Sequence, residues 1–459
     1  MRKFVKCAVI VVLDGVNHNV FWKLYNSGKL PFIEEISKEA LVIKKCYSVF
    51  PSATVSGHAS ISTAKHPGEH GLVGQAWFDR GSGEYIGYDF ELTMPDNWID
   101  ASTNLNDEHL LAKTGFEMAK EHGLKTFSVD LVRKGADIKM SFIAPGEDKG
   151  VGVASKLMFL RRFARYRGKK KSSWIKKLIL KLFPLHVLQH EIAVRNALKA
   201  VGAGCRFGVT WFMETDAASH LFGPDSFEGE EGKPYIYDSA EDAVRDADEE
   251  LEKLYKGISR NYDPIIAIVT DHGQIRLKDG ERYHVDLAEE FEREGINAFT
   301  NLDLREYEKR TGKTGEVVFA PSGPRMAHIY ALKRQEDVLE ALKSFESVEF
   351  IFFKQKGRIY LSNRDEVVPL NDYEFSSDYP RAKQRIEGLM RSERCGDFVI
   401  TAKRGFEFEK ADHKGAHGGL HFEESTGFGL IHKNGQKEVQ KEEGEITEIL
   451  PAVMNLLSV

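Results

Sequence analysis

Several stretches of this chain set carboxylates, imidazoles and a hydroxyl at spacings that suit metal chemistry. In E-T-D-A-A-S-H-L-F-G-P, Asp216 and His220 stand at i and i+4, on one face if the stretch is helical. In V-T-D-H-G, Asp271 and His272 are adjacent just after an apolar run, where an irregular turn can aim both inward. Asp14 ends the apolar run 8–13, and His417 lies in G-A-H-G-G. F-P-S-A-T-V-S-G-H supplies Thr54, a hydroxyl that can act as a nucleophile only where its proton is removed. Oxygen and nitrogen donors without a thiolate suit zinc or another first-row ion such as manganese, and the mix does not choose between them. Each piece alone has a plainer reading. A strand-terminal Asp is more often a cap or turn residue, Asp-x-x-x-His is common on solvated helices, and Thr54 fits an N-cap for a helix starting near Ser56.

The elements that must position these residues are legible from hydrophobic periodicity. The runs 8–13, 126–129, 207–212 and 265–269 are almost continuously apolar, as strands covered on both faces are. Ala243, Val244, Ala247, Leu251, Leu254, Tyr255 and Ile258 recur on one helical face directly before I-I-A-I-V-T. This βα alternation predicts a doubly wound, largely parallel α/β sheet. Functional groups in such sheets gather beyond the carboxyl ends of the strands, which is where Asp14, Asp216 and Asp271 fall.

Residues 1–275 and 395–459 are expected to form the metal-binding catalytic domain, with a basic helical insertion at about 147–190. Residues 276–394 are expected to form a small inserted α+β subdomain, with a helix at 335–344 and strands at 348–353 and 358–361. Residues 446–457 read as a closing helix. A chain of 459 residues exceeds the size at which one core stops growing, which fits this division. The net charge of −6 gives no global field to draw in a nucleic acid duplex. The scattered Cys7, Cys46, Cys205 and Cys395 read as reduced thiols, which suits a cytoplasmic protein. The apolar start is interrupted by Lys6 and ended by Asp14, so it reads as a first strand rather than a signal peptide, and no transmembrane helix is expected. Within 161–182, Arg and Lys interleave with large apolar residues. Contact with an anionic membrane surface and a lid for a polyanionic substrate are the functional readings, and a solvated surface hairpin is the commoner one.

Taken together and in order, these motifs resemble the alkaline phosphatase superfamily, most closely its type I phosphodiesterase/nucleotide pyrophosphatase branch, over nearly the whole chain from Asp14 to His417. The resemblance implies two divalent ions, zinc first and manganese as the alternative. One would be held by Asp216, His220 and His417, the other by Asp14, Asp271, His272 and the Thr54 hydroxyl. It further implies Thr54 as nucleophile, a phosphothreonine intermediate, and a small phosphate ester or nucleotide as substrate. Where the family has H-G-x-x-x-N, this chain has H-G-L-V-G-Q, so Gln75 would donate to a phosphoryl oxygen from a longer arm. With this set complete, His18, His58, His70, His413 and His421 are not taken as ligands. Phosphomonoesterase, phosphonate hydrolase and phosphotransferase activities of the superfamily share most of these ligands. The non-enzymatic alternative is a metal-binding scaffold at a membrane surface.

Overall fold

The structure, a computed structural model, describes residues 5–88, 104–140, 189–226, 237, 239–364, 366–411 and 413–459. Strand β1 (Lys6–Leu13) explains why its run is apolar throughout. Val9, Val11 and Leu13 enter one core cluster, while Ala8, Ile10 and Val12 enter another on the opposite face. The remaining strands of its sheet are β2 (Ala40–Tyr47), β3 (Thr126–Val129), β4 (Ile138–Lys139), β5 (Phe207–Phe212), β6 (Asp263–Val269), β7 (Thr426–Lys433) and β8 (Val439–Glu445). Their order is β8-β2-β7-β6-β1-β5-β3-β4. Only β7 runs against its neighbours β6 and β2, and the other pairings are parallel. The helix Ala240–Ser259 covers one face with Val244, Ala247, Leu251, Leu254 and Ile258. The helix Ile449–Leu457 covers the other with Ile449, Leu450 and Val453. This is the mixed, largely parallel α/β architecture expected from the sequence.

A second, seven-stranded sheet follows in the chain. In Val348–Gln355, Phe350 and Phe352 face the main core, while Ile351 and Phe353 face the helices Leu287–Arg293 and Gln335–Ser344. Phe398–Ala402 pairs antiparallel with both Met326–Ala331 and Val348–Gln355, in the middle of this sheet. The boundary expected at residue 394 would have given that strand to the catalytic domain. Hydrogen-bonded partnership, which periodicity does not encode, moves it. Most of the basic insertion expected at 147–190, including all of 161–182, lies outside the described residues. Among those described, no helix is long and apolar enough to cross a membrane. All four cysteines are free and buried.

His328 ties the second sheet to the first unit. Its Nε2 bonds the Val73 carbonyl at 3.0 Å, and its Nδ1 accepts the Gly396 N–H at 3.3 Å. Burial holds this imidazole neutral, lowering its pKa from 6.5 to about 4. The unfolded chain therefore takes up a proton before the folded one does as pH falls through 6.5, and stability is lost from there down toward 4. His328→Phe is expected to cost stability at pH 7, through the lost bonds, but to remove on the order of 2 kcal/mol of the acid-induced loss. Urea unfolding at pH 7 and pH 4.5 reads the difference, and parallel pH slopes in the two proteins would refute it.

Candidate metal centre

Adjacent parallel strands deliver the acids to one rim. Asp271 and His272 follow β6, Asp14 follows β1, and Asp216 stands in the first turn of the helix Glu214–Phe222 that follows β5. Gly15 makes the approach possible. It sits at φ +66°, and a Cβ there would lie 2.4 Å from Asp216 Oδ1. Thr54 opens the helix Thr54–Thr63, with Ala53 as the N-cap residue, so the helix starts at the hydroxyl itself and not near Ser56. Its Oγ1 is 3.3 Å from His272 Nε2, at the positive end of a helix dipole. Arg385, fully buried, secures the preceding loop by donating to Val49 O at 3.1 Å and Ser52 Oγ at 2.6 Å.

The three ligand-type histidines share one arrangement. Nδ1 of His220 meets Gly415 O at 2.8 Å, that of His272 meets Gly273 O at 2.9 Å, and that of His417 meets Ser52 O at 3.1 Å. A carbonyl only accepts, so Nδ1 carries the hydrogen and Nε2 offers a lone pair inward, as a metal-ligating imidazole does. Those Nε2 atoms face carboxylates. His220 is 3.3 Å from Asp216 Oδ2, His417 is 3.9 Å from Asp216 Oδ1, and His272 is 3.2 Å from Asp14 Oδ1 and 3.3 Å from Asp271 Oδ2. Asp14 Oδ1 and Asp271 Oδ2 are buried with no hydrogen bond among the described residues. Lone pairs opposing carboxylates in a dry site are compensated by a cation between them. Buried groups with the reach to hold one are Asp216–His220–His417, Asp14–Asp216–His272 and Asp14–His58–Asp271.

The electrostatics of the side chains fit a cation held among them. Burial, then Asp271 and Asp216, raise Asp14 from 3.8 to about 8. Burial, with Asp216 adding to it, raises Asp271 to about 7. Burial also opposes ionisation of Asp216, but His220, His417 and His272 outweigh it and hold that carboxyl far below its ordinary range. Burial and the neighbouring His272 hold His417 well below 6.5. Around the ligands, Trp211 Nε1 donates to Asp14 Oδ2 at 2.7 Å and Gln274 Nε2 to Asp216 Oδ1 at 2.5 Å.

Asp14, Thr54, Asp216, His220, Asp271, His272 and His417 are thus all brought together. Gln75 is half-buried with its carbonyl accepting the Tyr88 N–H at 2.7 Å, and among the described residues no hydrogen bond links its amide to Thr54 or to the acids. His58, set aside in the sequence, does face the centre, with Nδ1 2.7 Å from Asp130 Oδ1 and Nε2 3.6 Å from Asp271 Oδ2. Burial disfavours its charged form, but Asp130 outweighs this and the pKa rises to about 9. The signal was available, since the run 126–129 also ends in an acid, Asp130. The other histidines serve the scaffold: His70 bonds Ser60 at 3.0 Å and His421 meets Glu349 at 3.1 Å.

The model of one family, type I phosphodiesterase / nucleotide pyrophosphatase, matches residues 8–427. The chain belongs to that family. It is accordingly a hydrolase of phosphate ester or anhydride bonds, of a divalent-metal-dependent kind, with buried Asp/His clusters able to hold the ions. Among solved structures it is similar to murine ectonucleotide pyrophosphatase/phosphodiesterase 5, with 14% identity, TM-score 0.59, and 99% of this chain and 95% of that one covered. The inactive threonine-to-alanine variant of the murine protein, in complex with AMP, aligns with TM-score 0.58 at 14% identity over the same shares of each chain. The human counterpart aligns at 15% identity and TM-score 0.59, again over 99% and 95%. These likenesses show the fold alone, a mixed α/β architecture with a large, mostly parallel sheet. No curated protein sequence matches the chain.

Proposed function

We propose that the chain cleaves a phosphodiester or nucleotide pyrophosphate bond with Thr54 as nucleophile, assisted by two divalent ions. Asp216, His220 and His417 would hold one, and Asp14, Asp271 and His272 the other, beside the Thr54 hydroxyl. The observation that carries this reading is the shared histidine arrangement, with three Nδ1–H groups pinned on backbone carbonyls and Nε2 lone pairs turned toward buried carboxylates and Thr54. When bound, the ions would lower the hydroxyl's pKa and offset the charge developing on the phosphoryl oxygens. The donor set of imidazole and carboxylate favours zinc, with manganese next.

The chain's own groups do the rest. Thr54 Oγ1, its proton released, attacks phosphorus in line; the opposite P–O bond breaks, the alcohol or phosphate oxygen leaving with the electron pair and taking up a proton, and the phosphothreonine-type ester left on Thr54 is then hydrolysed by water. The helix N-terminus behind Thr54 favours the bound anion. Gln75, in the place of the family's asparagine, would donate its amide to a phosphoryl oxygen. A nucleotide substrate is supported by the AMP complex of the murine neighbour, and the threonine role by the inactivity of that threonine-to-alanine variant. Zinc- or manganese-dependent turnover of bis-p-nitrophenyl phosphate and p-nitrophenyl phosphate tests the bond class. The diester is expected to be the better substrate by kcat/KM, and a preference for the monoester would refute the phosphodiesterase assignment.

A further inference from the structure

Asp130 is the fourth acid on the rim. It directly follows β3, the neighbour of β5, and is fully buried, yet it falls in none of the clusters able to hold a cation. Instead its Oδ1 takes His58 Nδ1 at 2.7 Å and the Leu131 N–H at 2.5 Å. The same imidazole presents Nε2 to Asp271 Oδ2 at 3.6 Å, longer than a direct hydrogen bond but with no atom of the described residues hydrogen-bonded to either. Asp271 Oδ2 is also the oxygen that faces His272.

We propose that the Asp130–His58 pair positions the Asp271 carboxylate for the ion it shares with Asp14 and His272; the inference rests on the two-ion reading above. His58 is also held from a second side. Its ring stands edge-on to Trp211, with centroids 5.0 Å apart and planes at 71°, and Trp211 in turn fixes Asp14 through its indole N–H. One aromatic contact therefore aligns the holders of both carboxylates. The helix is also seated directly on Asp271. A Cβ at Gly57 would lie 2.8 Å from Asp271 Cβ, so only glycine lets His58 come this near. Thr54 and His58 belong to that one helix, one turn apart, so the nucleophile and the carboxylate's support are built on the same rigid element.

A buried pair that served the core alone would change unfolding but treat both ions alike. A positioning pair changes one ion. Zinc titration of the full chain against a chromophoric chelator separates these cases, with His58→Asn and Asp130→Asn compared with wild type. Wild type is expected to take up two ions. Each variant is expected to lose about 10- to 100-fold in affinity for one ion and keep the other, as changes beyond the direct ligands typically do. The double variant should be no worse than the weaker single, because the two residues act as a unit. Unchanged zinc affinities, or equal losses at both ions, would overturn the proposal. If His58→Asn fails to fold by circular dichroism, Asp130→Asn, which keeps shape and volume, carries the measurement. A wild-type chain that binds no zinc would overturn the two-ion reading itself, an outcome distinct from intact binding that the variants leave unmoved.

Discussion

Thr54→Ala is expected to fold, to bind its ions with near wild-type stoichiometry, and to lose at least ~10³-fold in turnover of a diester. The reason lies in what the side chain does and does not support. Thr54 makes a 3.3 Å contact to His272, and His272 is independently held through Nδ1 on Gly273 O. Asp14 and Asp271 take their own bonds from Trp211 and from the Gly15 N–H. Removing the hydroxyl therefore leaves the acids and imidazoles where they are. It removes the atom proposed to attack phosphorus, and no other hydroxyl stands within hydrogen-bond distance of His272 Nε2 among the described residues. Steady-state kinetics with metal analysis on one preparation decides it. Wild-type rates with a full metal complement would sink the nucleophile assignment.

Chelation is expected to abolish turnover outright and to cost stability in a pH-dependent way. Asp14 and Asp271, raised from 3.8 to about 8 and about 7, are groups that the folded chain keeps protonated after the unfolded chain has released its protons. Without ions, stability therefore falls as pH rises from about 4 toward 8. Bound ions supply the countercharge and displace those protons, so their stabilisation grows over the same range. At free zinc a thousandfold above its dissociation constant, the gain is about 4 kcal/mol. Melting curves with and without chelator should be far apart at pH 8 and converge toward pH 5. A Tm indifferent to chelator at pH 8 would refute a structural contribution from the ions, and turnover surviving exhaustive chelation would refute the metal reading.

How much of this was legible in the sequence depends on the range of the interaction. The runs at 126–129 and 207–212, and the helix at 335–344, appear with the bounds that periodicity gives, because each is a local pattern. The strand-end acids converge because a parallel sheet aligns its carboxyl ends, which makes Asp14, Asp216 and Asp271 neighbours without any contact being known in advance. What escaped was pairing across the chain. His58 and Asp130 are 72 residues apart, and although Asp130 stands out as a fourth strand-end acid, nothing near it in the chain pairs it with His58. Phe398–Ala402 reads as a strand for either unit, and only its ladder assigns it. The antiparallel β7 carries no sign of its direction, since a fully buried strand looks the same read either way.

That strand has a consequence for how the molecule is made. Among the described residues, β2 and β8 join the rest of the sheet only through β7, and β7 is drawn from residues 426–433. Asp14, Thr54, Asp216, His220, Asp271 and His272 all leave the ribosome long before it, and His417 shortly before. The strands that precede Asp14, Asp216 and Asp271 pair with one another directly, but β2, which leads to Thr54, is joined to them through β7, by contacts among the longest-range in the fold. A working site therefore requires residues 426–433 as well as the side chains that precede them. Truncations that stop short of β7 should yield an inactive chain whose acids are exposed to water rather than a smaller working enzyme.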